Sequence, residues 1–387
     1  MLNRLNYDFN NKPLLIFWEL TRACKLKCKH CRADAILNPL PDELSLEDGF
    51  KIIDDIKGFG KPYPTLILTG GDPIMKRGLE DILRYAYENG ITLGIAPTVS
   101  ELLTGSILKT MLKYGVKHIS ISLDGGKPLT HNYIRGLNSH FEATVEVLRK
   151  LVDLGFNVQV NTLICRLNVL ELPEIVNLLL GMNVKVWELF FLIRVGRGVE
   201  VEDLSPHEYE DVLHFLYDVL SYEVNVRTVE APFFRRVVIT RLKNSSENLS
   251  GIIRKHGLGK LYSILAAKLK ESVGQPKTLN INLDVRRPYT RDGYGVIFIA
   301  YNGDIYPSGF TPFKLGNVKN ESIVDVYRNS KLLKMIRLSM FKGRCGVCEY
   351  RYVCGGSRAR AFTVRGDILD EDPACIYNPG KPLTTAE

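Results

Sequence analysis

Three cysteines within eight residues, Cys24, Cys28 and Cys31, constrain the fold of this chain more than any other feature. They follow an apolar run at residues 14–20, whose large side chains and short length predict a buried β-strand. The end of a strand can hold the next loop rigidly while that loop surrounds a metal centre. A [4Fe–4S] cluster has four irons that each bind a thiolate, so three local cysteines leave one iron open. Three unrelated thiols, or a zinc site completed by one distant ligand, are the alternatives.

Four further cysteines lie near the end of the sequence, at positions Cys345, Cys348, Cys354 and Cys375. Four thiolates fill every coordination position of a metal site, and this spacing suits tetrahedral zinc as well as an iron–sulfur cluster. Gly355 and Gly356 allow the backbone to wrap tightly and to place amide donors near the ligands. The eighth cysteine, Cys165, stands apart from both groups, and we interpret it as a buried free thiol.

The composition excludes several classes of protein. With 387 residues, of which 45% are hydrophobic and 24% charged, the chain can form two or three globular domains. No apolar run reaches the ~18 residues of a membrane span, and the N-terminus lacks the pattern of a secretion signal, so we expect a cytoplasmic protein. Cysteines in such a protein bind metal more often than they form disulfides. The formal charge of +8 comes from basic residues scattered among acidic ones, which argues against nucleic acid as a partner.

Strand and helix patterns alternate from residue 14 to about residue 195. Six apolar runs with strand character each precede a helical pattern, and the connections between them are short. The predicted strands are residues 14–20, 65–69, 91–96, 117–123, 158–164 and 184–191. This order predicts an α/β fold with a parallel sheet. Periodicity alone leaves an open (β/α)6 barrel and a doubly wound sheet as alternatives.

Polar residues and glycines that could take part in binding or catalysis lie near the ends of these predicted strands, where parallel α/β folds place their sites. They are Gly70, Gly71 and Asp72 after the second strand, Ser122 and Asp124 at the end of the fourth, Arg135 downstream of it, and Asn161 in the fifth. Each has a plainer interpretation. Gly-Gly-Asp-Pro is by itself only a turn, an Asp124–Arg135 ion pair can be purely structural, and Asn161 can be a satisfied polar group in the core.

The cysteine triplet together with these residues resembles the radical S-adenosylmethionine (SAM) superfamily. In that family the open iron binds the amino and carboxylate groups of SAM, and reductive cleavage of SAM yields a 5′-deoxyadenosyl radical. The resemblance implies a partial (β/α)6 barrel, with a SAM-binding [4Fe–4S] cluster on Cys24, Cys28 and Cys31. It also implies an external electron donor such as ferredoxin or flavodoxin, and hydrogen abstraction from a substrate C–H bond.

The resemblance further suggests which residues contact SAM. Gly70 and Gly71 let the backbone approach the ammonium group of SAM, and Asp72 stands where the family has glutamate. The guanidinium of Arg135 suits a bidentate pair with the SAM carboxylate. His30 lies where the family has an aromatic residue beside the adenine, or it merely fills space.

Three other positions follow from the same resemblance. Ser122 and Asp124 end the fourth strand and point at the barrel mouth, while Asn161 stands where the family often has a ribose contact.

The C-terminal cysteines resemble a SPASM/twitch-type extension, which carries auxiliary iron–sulfur clusters, and this favours iron–sulfur over zinc. Ser308 stands where the fuller form of the extension has a further cysteine, so we predict one auxiliary [4Fe–4S] cluster. Its predicted ligands are Cys345, Cys348, Cys354 and Cys375. We divide the chain into a radical SAM core (residues 1–200), a mainly helical connecting region (201–290) and a SPASM/twitch-like domain (291–387). A β-hairpin is expected around the Asn302-Gly303 turn.

Three functions remain open at this point. The tail resembles enzymes of the alternative haem and haem d1 pathways, and a related set of proteins of unsettled substrate. This favours oxidative modification of a tetrapyrrole propionate, for which the candidate carboxylate partners, otherwise surface charges, are Arg194, Arg197, Arg358 and Arg360. A maturase of a ribosomally made peptide is the second hypothesis, and a non-catalytic zinc-binding protein is the third.

Overall fold

The computed structural model describes residues 7–243, 249–276 and 290–380. The strands in these residues are β1 (Leu15–Glu19), β2 (Thr65–Thr69), β3 (Leu93–Ile95), β4 (His118–Ser122), β5 (Asn157–Ile164), β6 (Val186–Phe191), β7 (Asn225–Val229), β8 (Val296–Ile299), β9 (Asp304–Tyr306) and β10 (Gly316–Asn317). The helices are α1 (Leu46–Lys57), α2 (Leu79–Glu88), α3 (Gly105–Lys113), α4 (Pro128–Arg135), α5 (His140–Asp153), α6 (Leu172–Gly181), α7 (Pro206–Val219), α8 (Phe234–Leu242), α9 (Leu249–His256), α10 (Lys260–Val273), α11 (Ile323–Asn329), α12 (Lys331–Arg337), α13 (Gly343–Val347) and α14 (Arg358–Arg365).

Strands β1 to β7 lie side by side in chain order, and each pairs in parallel with the next. A doubly wound sheet reverses at a switch point and places neighbouring strands out of chain order. The observed order is that of a (β/α) barrel wound in one direction. Within the described residues the edge strands β7 and β10 do not pair with each other, so the barrel is open. The predicted α/β class and the partial barrel are confirmed.

The sheet extends beyond the six predicted strands on both sides. Strand β7 lies in the region predicted to be mainly helical, and it pairs with β6. Strand β8 pairs in parallel with β1 and antiparallel with β9, which confirms the predicted hairpin. The domain limits at residues 200 and 290 stay predictions, and the sheet includes strands from all three proposed segments. Residues 244–248 and 277–289 of the connecting region lie outside the described part of the chain.

The two faces of the barrel sheet differ in character. Side chains such as Trp18, Leu68 and Ile121 alternate along the strands and pack against helix residues, among them Ile53 and Ile82, in the main hydrophobic core. The intervening residues point to the opposite, concave face, and in β1, β2 and β4 most of them are half-buried. The concave face is therefore the side of the sheet that is free to line a site.

Serine side chains cap two of the outer helices. Ser45 caps α1: its Oγ accepts a hydrogen bond from the Asp48 N–H, and the Asp48 carboxylate accepts one from the Ser45 N–H, both at 3.1 Å. Ser205 and Glu208 form the same reciprocal arrangement before α7. Among the described helices, none combines the length and the apolar character that crossing a bilayer requires.

Candidate functional site

The loop after β1 brings together the three N-terminal cysteines. Cys24 and Cys28 are buried, and Cys31 is half-buried. The Leu26 N–H donates to Cys24 Sγ and the Ala35 N–H donates to Cys31 Sγ, each at 3.4 Å. Burial raises the pKa of the Cys24 thiol to about 11, so the free thiol stays protonated at neutral pH. The loop thus offers three sulfurs with amide donors that suit a metal-bound thiolate.

The loop after β6 holds this cysteine loop in place. The Arg197 N–H donates to the Cys31 carbonyl at 3.1 Å, and its side chain donates to the carbonyls of Cys28 at 2.8 Å and Ala35 at 3.0 Å. A Cβ atom at Gly196 would lie 2.5 Å from the Cys31 carbonyl oxygen, so this approach requires glycine. Arg197, considered above as a partner for a substrate carboxylate, is instead a clamp on the cysteine loop.

The Gly-Gly-Asp segment after β2 packs against the other side of the cysteine loop. The Gly71 N–H donates to the Thr21 carbonyl and the Asp72 N–H donates to the Ala23 carbonyl, both at 2.7 Å. A Cβ atom at Gly70 would lie 2.6 Å from the Thr21 oxygen, and one at Gly71 would lie 2.4 Å from the Ala23 oxygen. These glycines were expected to let the backbone approach SAM, and that contact stays a prediction. The structure shows a close approach of protein backbone.

We expect Gly71→Ala to destabilise the protein by about 1–3 kcal/mol, because the new methyl group overlaps backbone that two short hydrogen bonds hold in place. Urea unfolding checks this, and iron content after reconstitution should fall in parallel. Gly181→Ala at the end of α6 is the matched control, since a Cβ there meets nothing within 4 Å. Equal urea midpoints for the two variants would contradict the prediction.

The Asp72 carboxylate is buried and already has partners. It accepts hydrogen bonds from Thr98 Oγ1 at 2.8 Å and from the Ile74 N–H at 3.2 Å. Burial raises the pKa of Asp72, while these hydrogen bonds oppose the rise. The side chain therefore ties the end of β2 to the segment after β3. Its proposed contact with the ammonium group of SAM stays a prediction.

Asp124, which follows β4, lies at the centre of a buried charge cluster. Its Oδ2 accepts from Arg135 Nη1 at 3.3 Å, and its Oδ1 accepts from the Leu163 N–H at 2.7 Å. His30 Nε2 lies 3.9 Å from Oδ2. Burial alone would raise the pKa of Asp124, but His30 and Arg135 outweigh it and hold that pKa below its usual value. The structural ion pair considered above is present; a contact between Arg135 and SAM stays a prediction.

Arg135 borders the cysteine loop, and His30 is part of it. The Arg135 guanidinium interacts electrostatically with the thiols of Cys28 and Cys24. Its Nε atom and the Nδ1 atom of His30 are both buried, and neither has a hydrogen-bond partner among the described residues. Because buried polar atoms are normally hydrogen-bonded, these two atoms mark a place where a bound group would supply partners.

Two buried histidines support the backbone of Asp124. His131 Nδ1 accepts from the Asp124 N–H at 3.1 Å, His131 Nε2 lies 2.8 Å from His140 Nδ1, and His140 Nε2 lies 3.0 Å from the Val99 carbonyl. These contacts assign the ring proton of each histidine to Nε2. Burial lowers the pKa of His131 to about 3 and that of His140 to about 4, so both rings are neutral. The relay fixes the end of β4 relative to the end of β3.

A row of polar side chains crosses the concave face from β4 to β7. The register pairs Ser122 with Asn161, Asn161 with Glu188, and Glu188 with Arg227. Gln159 joins the row: its Nε2 donates to Asn161 Oδ1 at 2.8 Å and to Glu188 Oε2 at 2.9 Å, and its Oε1 accepts from Arg227 Nη1 at 3.3 Å. Burial raises the pKa of Glu188 despite the nearby arginine.

Sequence reasoning found only Ser122 and Asn161 of this row. Glu188 lies in a predicted strand, and its place between large apolar residues in 184–191 was the available signal. Arg227 gave no signal, because β7 was not predicted.

The four C-terminal cysteines line one pocket. Its walls include Cys345, Cys348, Cys354, Cys375, Gly355 and Gly356. The Gly356 N–H donates to Cys354 Sγ at 3.4 Å, and the Asp372 N–H donates to Cys345 Sγ at 3.5 Å. Gly356 has a φ of +66°, and a Cβ atom there would lie 2.7 Å from a nitrogen of Arg358 and from the Cβ of Asp372. The glycine is thus required by the packing around the pocket.

Three of the four arginines considered as carboxylate partners are occupied by protein groups. Arg197 clamps the cysteine loop, and the buried Arg358 donates to the Ile368 and Asp370 carbonyls. Arg360 forms a buried ion pair with Asp372 at 3.3 Å.

Arg194 is the exposed member of the set, and it donates to the Val199 carbonyl at 3.0 Å.

The donor sets fit iron–sulfur clusters. In the described parts of the chain, no three His, Cys, Asp or Glu side chains converge closely enough to bind one metal ion. In a [4Fe–4S] cluster each thiolate binds a different iron, so its ligands stand farther apart than those of a single ion. Both sites offer thiols as ligands, backbone amides directed at sulfur, and arginine charge beside the sulfurs. These are the features that stabilise an anionic cluster.

Comparisons with known proteins agree with this geometry. Residues 18–179 match the family model of the Radical SAM superfamily, and residues 291–351 match the model of the SPASM iron–sulfur cluster-binding domain. The chain is 32% identical over 376 residues to the AdoMet-dependent heme synthase of Methanosarcina barkeri. This alignment covers 96% of this chain and 98% of that protein. It is 26% identical over 385 residues to the mycofactocin maturase MftC of Mycobacterium tuberculosis, covering 97% and 86%.

The fold has solved counterparts. The crystal structure of SuiB from Streptococcus suis matches with a TM-score of 0.65 at 16% identity, over 94% of this chain and 77% of that one. This likeness concerns the fold alone, and it includes both the barrel and the C-terminal extension. The two family models and the similarity to the heme synthase show that the protein is an enzyme that uses SAM, a [4Fe–4S] cluster and an auxiliary iron–sulfur cluster.

Proposed function

The chain belongs to the radical SAM superfamily, and from this membership we propose that it oxidatively modifies a propionate side chain of a tetrapyrrole. The similarity to a heme synthase runs through almost the whole of both proteins, and this coverage carries the proposal. It includes the concave face of the barrel as well as both cysteine groups. Haem has vinyl groups at two of the four positions where Fe-coproporphyrin III has propionates, so we choose Fe-coproporphyrin III as the test substrate.

The proposed reaction is an oxidative decarboxylation. When bound, the N-terminal cluster and SAM supply a 5′-deoxyadenosyl radical, and the auxiliary cluster supplies a one-electron acceptor. The propionate loses one hydrogen atom to the radical. The bond to its carboxylate carbon then breaks, carbon dioxide and one electron leave, and a vinyl group remains.

The protein contributes position and shielding rather than a reactive side chain. Cys24, Cys28 and Cys31 would hold the SAM-binding cluster on a loop that the segments after β2 and β6 enclose. The residues proposed to surround SAM are His30, Gly70, Gly71, Asp72, Ser122, Asp124, Arg135 and Asn161. Buried or half-buried sites of this kind exclude water from a reactive intermediate.

The polar row offers a place for a substrate carboxylate. It begins at Ser122 and Asn161, which we propose to contact SAM, and it ends at Arg227 on the edge strand. Arg227 has one hydrogen bond within the row, to the neutral amide of Gln159. Arg227 is exposed and has donors that the row does not use, so its guanidinium suits a propionate that does not react. This residue replaces the occupied arginines as the candidate carboxylate partner.

We expect Arg227→Gln to raise the Kd for Fe-coproporphyrin III about tenfold, because one charge-assisted hydrogen bond to a carboxylate is lost. Titration of the porphyrin absorbance under anaerobic conditions measures this. The same variant should lose the preference of the wild type for the free acid over the methyl ester. Arg84→Gln on α2 is the control, since that side chain pairs with Asp81 at 2.8 Å on the outer surface. A Kd unchanged in Arg227→Gln would refute the carboxylate role.

An anaerobic turnover assay tests the function as a whole. The reconstituted enzyme is supplied with dithionite, SAM and Fe-coproporphyrin III, and mass spectrometry follows 5′-deoxyadenosine and the porphyrin. We expect deoxyadenosine together with porphyrin products in which vinyl groups replace propionates. Deoxyadenosine without any change in the porphyrin would contradict the substrate and would favour a peptide, the second candidate. That candidate draws support from the more distant similarity to the mycofactocin maturase.

Two further parts of the proposal concern the surroundings of the enzyme. We propose that a ferredoxin or flavodoxin delivers the electron that reduces the N-terminal cluster, because SAM cleavage consumes one electron. We also propose the cytoplasm as its location, in keeping with cysteines that bind metal rather than form disulfides.

A further inference from the structure

A buried arginine from outside the cysteine-rich segment faces the C-terminal thiols. Arg236 on α8 is 2% exposed and lines the same pocket as the four cysteines. Its positive charge acts on the thiols of Cys375 and Cys354, and its guanidinium lies 5.1 Å from the ring centre of Tyr377, another wall of the pocket. More than a hundred residues of sequence separate it from the nearest of these cysteines.

Glu210 on α7 pairs with Arg236, and His214 on the same helix lies beside Glu210. Arg236 Nη2 donates to Glu210 Oε2 at 2.5 Å, and His214 Nε2 lies 3.4 Å from Glu210 Oε1. Burial alone would raise the pKa of Glu210, but Arg236 and His214 outweigh it and hold that pKa well below its usual value. Glu210 is therefore ionised, and Arg236 with Glu210 forms a buried charge pair.

The pair is oriented with its positive end toward the cysteines. Both charges act on Cys375, and the effect of Arg236 is larger than that of Glu210. Arg236 Nε is buried without a hydrogen-bond partner among the described residues, so the ion pair does not use all of its donors. Burying two charges carries a desolvation cost, and an apolar pair would join α7 and α8 as well. The cost points to a role for the charge itself.

Other cations also lie near the pocket. Arg358 Nη2 lies 3.9 Å from Cys345 Sγ, and Arg344 pairs with Glu371 at 3.0 Å. Arg358 acts on Cys345, Arg344 acts on Cys375 and Cys345, and Arg235 acts on Cys354 together with Arg236. On Cys375, the cation with the largest effect is Arg236.

We propose that Arg236, positioned by Glu210, raises the reduction potential of the auxiliary cluster bound to the four C-terminal cysteines. A four-thiolate cluster is anionic and gains one more negative charge on reduction, so a fixed cation beside it stabilises the reduced form more than the oxidised form. Glu210 acts in the opposite sense because it partly cancels that cation. A raised potential makes the cluster a better acceptor of an electron. The effect does not depend on which substrate the enzyme uses.

A redox titration of the reconstituted full-length protein, followed by electron paramagnetic resonance, tests the proposal. The signal of the auxiliary cluster is recognised because added SAM does not change it. At the midpoint of the wild type we expect Arg236→Gln to lower the ratio of reduced to oxidised cluster about tenfold, equal to 59 mV for one electron. Glu210→Gln should shift the ratio in the opposite direction, and Arg236→Lys should stay near the wild type.

The opposite shifts expected for Arg236→Gln and Glu210→Gln distinguish an effect on the reduction potential from a structural role. A merely structural ion pair predicts weaker folding in both Arg236→Gln and Glu210→Gln, with no change in the ratio once the cluster is loaded. An Arg236→Gln protein that holds normal iron and sulfide with an unshifted ratio overturns the proposal. If that variant fails to bind iron, Glu210→Gln decides: a higher ratio supports the proposal, and an unchanged or lower ratio overturns it.

Discussion

We expect Cys28→Ala to reduce the formation of 5′-deoxyadenosine by more than about 1,000-fold, which corresponds to ~4 kcal/mol of lost transition-state stabilisation. Cys28 is buried, and its backbone carbonyl accepts a hydrogen bond from the Arg197 side chain. These contacts fix the position of its sulfur in the cysteine loop. Two remaining thiols leave two irons without protein ligands, and the cluster is then not retained. The measurement is an anaerobic assay of deoxyadenosine with dithionite and SAM.

Iron content distinguishes loss of one cluster from unfolding. Cys28→Ala should retain the iron of the C-terminal site, whereas Cys354→Ala should lose that iron and keep the ability to cleave SAM. Cys165→Ser is the control, because Cys165 is fully buried and contacts Asn168 at 3.6 Å, away from both cysteine groups. A Cys28→Ala protein that still forms deoxyadenosine, or a Cys165→Ser protein that does not, would show that the triplet has been assigned wrongly.

Much of the barrel could be predicted because its strands carry strong local patterns. Residues 65–69 are a compact apolar run, and β2 has these limits. Strand β7 could not be predicted in this way. In Asn225–Val229 the single fully buried side chain is Val226, and its other positions are polar or only half-buried. Pairing with β6, which is distant in sequence, makes this segment a strand.

The same distinction between local and long-range signals applies to the residues of the site. Cysteine spacing and the Gly-Gly-Asp-Pro turn are local, and they could be recognised from the sequence. The roles of Arg197, Arg227 and Arg236 depend on which loop or strand lies beside them in the folded protein. Arg197 illustrates the limit: a basic residue after a strand suggested a substrate partner, and its contact with the Cys28 carbonyl bridges 169 positions of sequence.

Removal of the charge of Asp124 should have the largest effect on stability among single charge substitutions at the N-terminal site. We expect Asp124→Asn to lower the free energy of unfolding of the iron-free protein by about 3–5 kcal/mol, because Arg135 then remains as a buried charge without its counter-ion. Asp124 is 1% exposed, and its Oδ1 also satisfies the buried Leu163 N–H. Urea unfolding near neutral pH measures the loss.

Asp81→Asn on α2 is the matched control for this prediction. The Asp81–Arg84 pair is shorter, at 2.8 Å, than the 3.3 Å between Asp124 and Arg135, yet nearly half of each side chain is exposed. Exposed ion pairs contribute up to ~1 kcal/mol to the free energy of unfolding. The shorter distance would make Asp81→Asn the more destabilising substitution, whereas burial makes it Asp124→Asn. A double variant, Asp124→Asn with Arg135→Gln, should recover part of the loss, because it leaves no unpaired charge behind. Equal losses for Asp124→Asn and Asp81→Asn would mean that water reaches the Asp124 cluster, which would contradict its burial beside the cysteine loop.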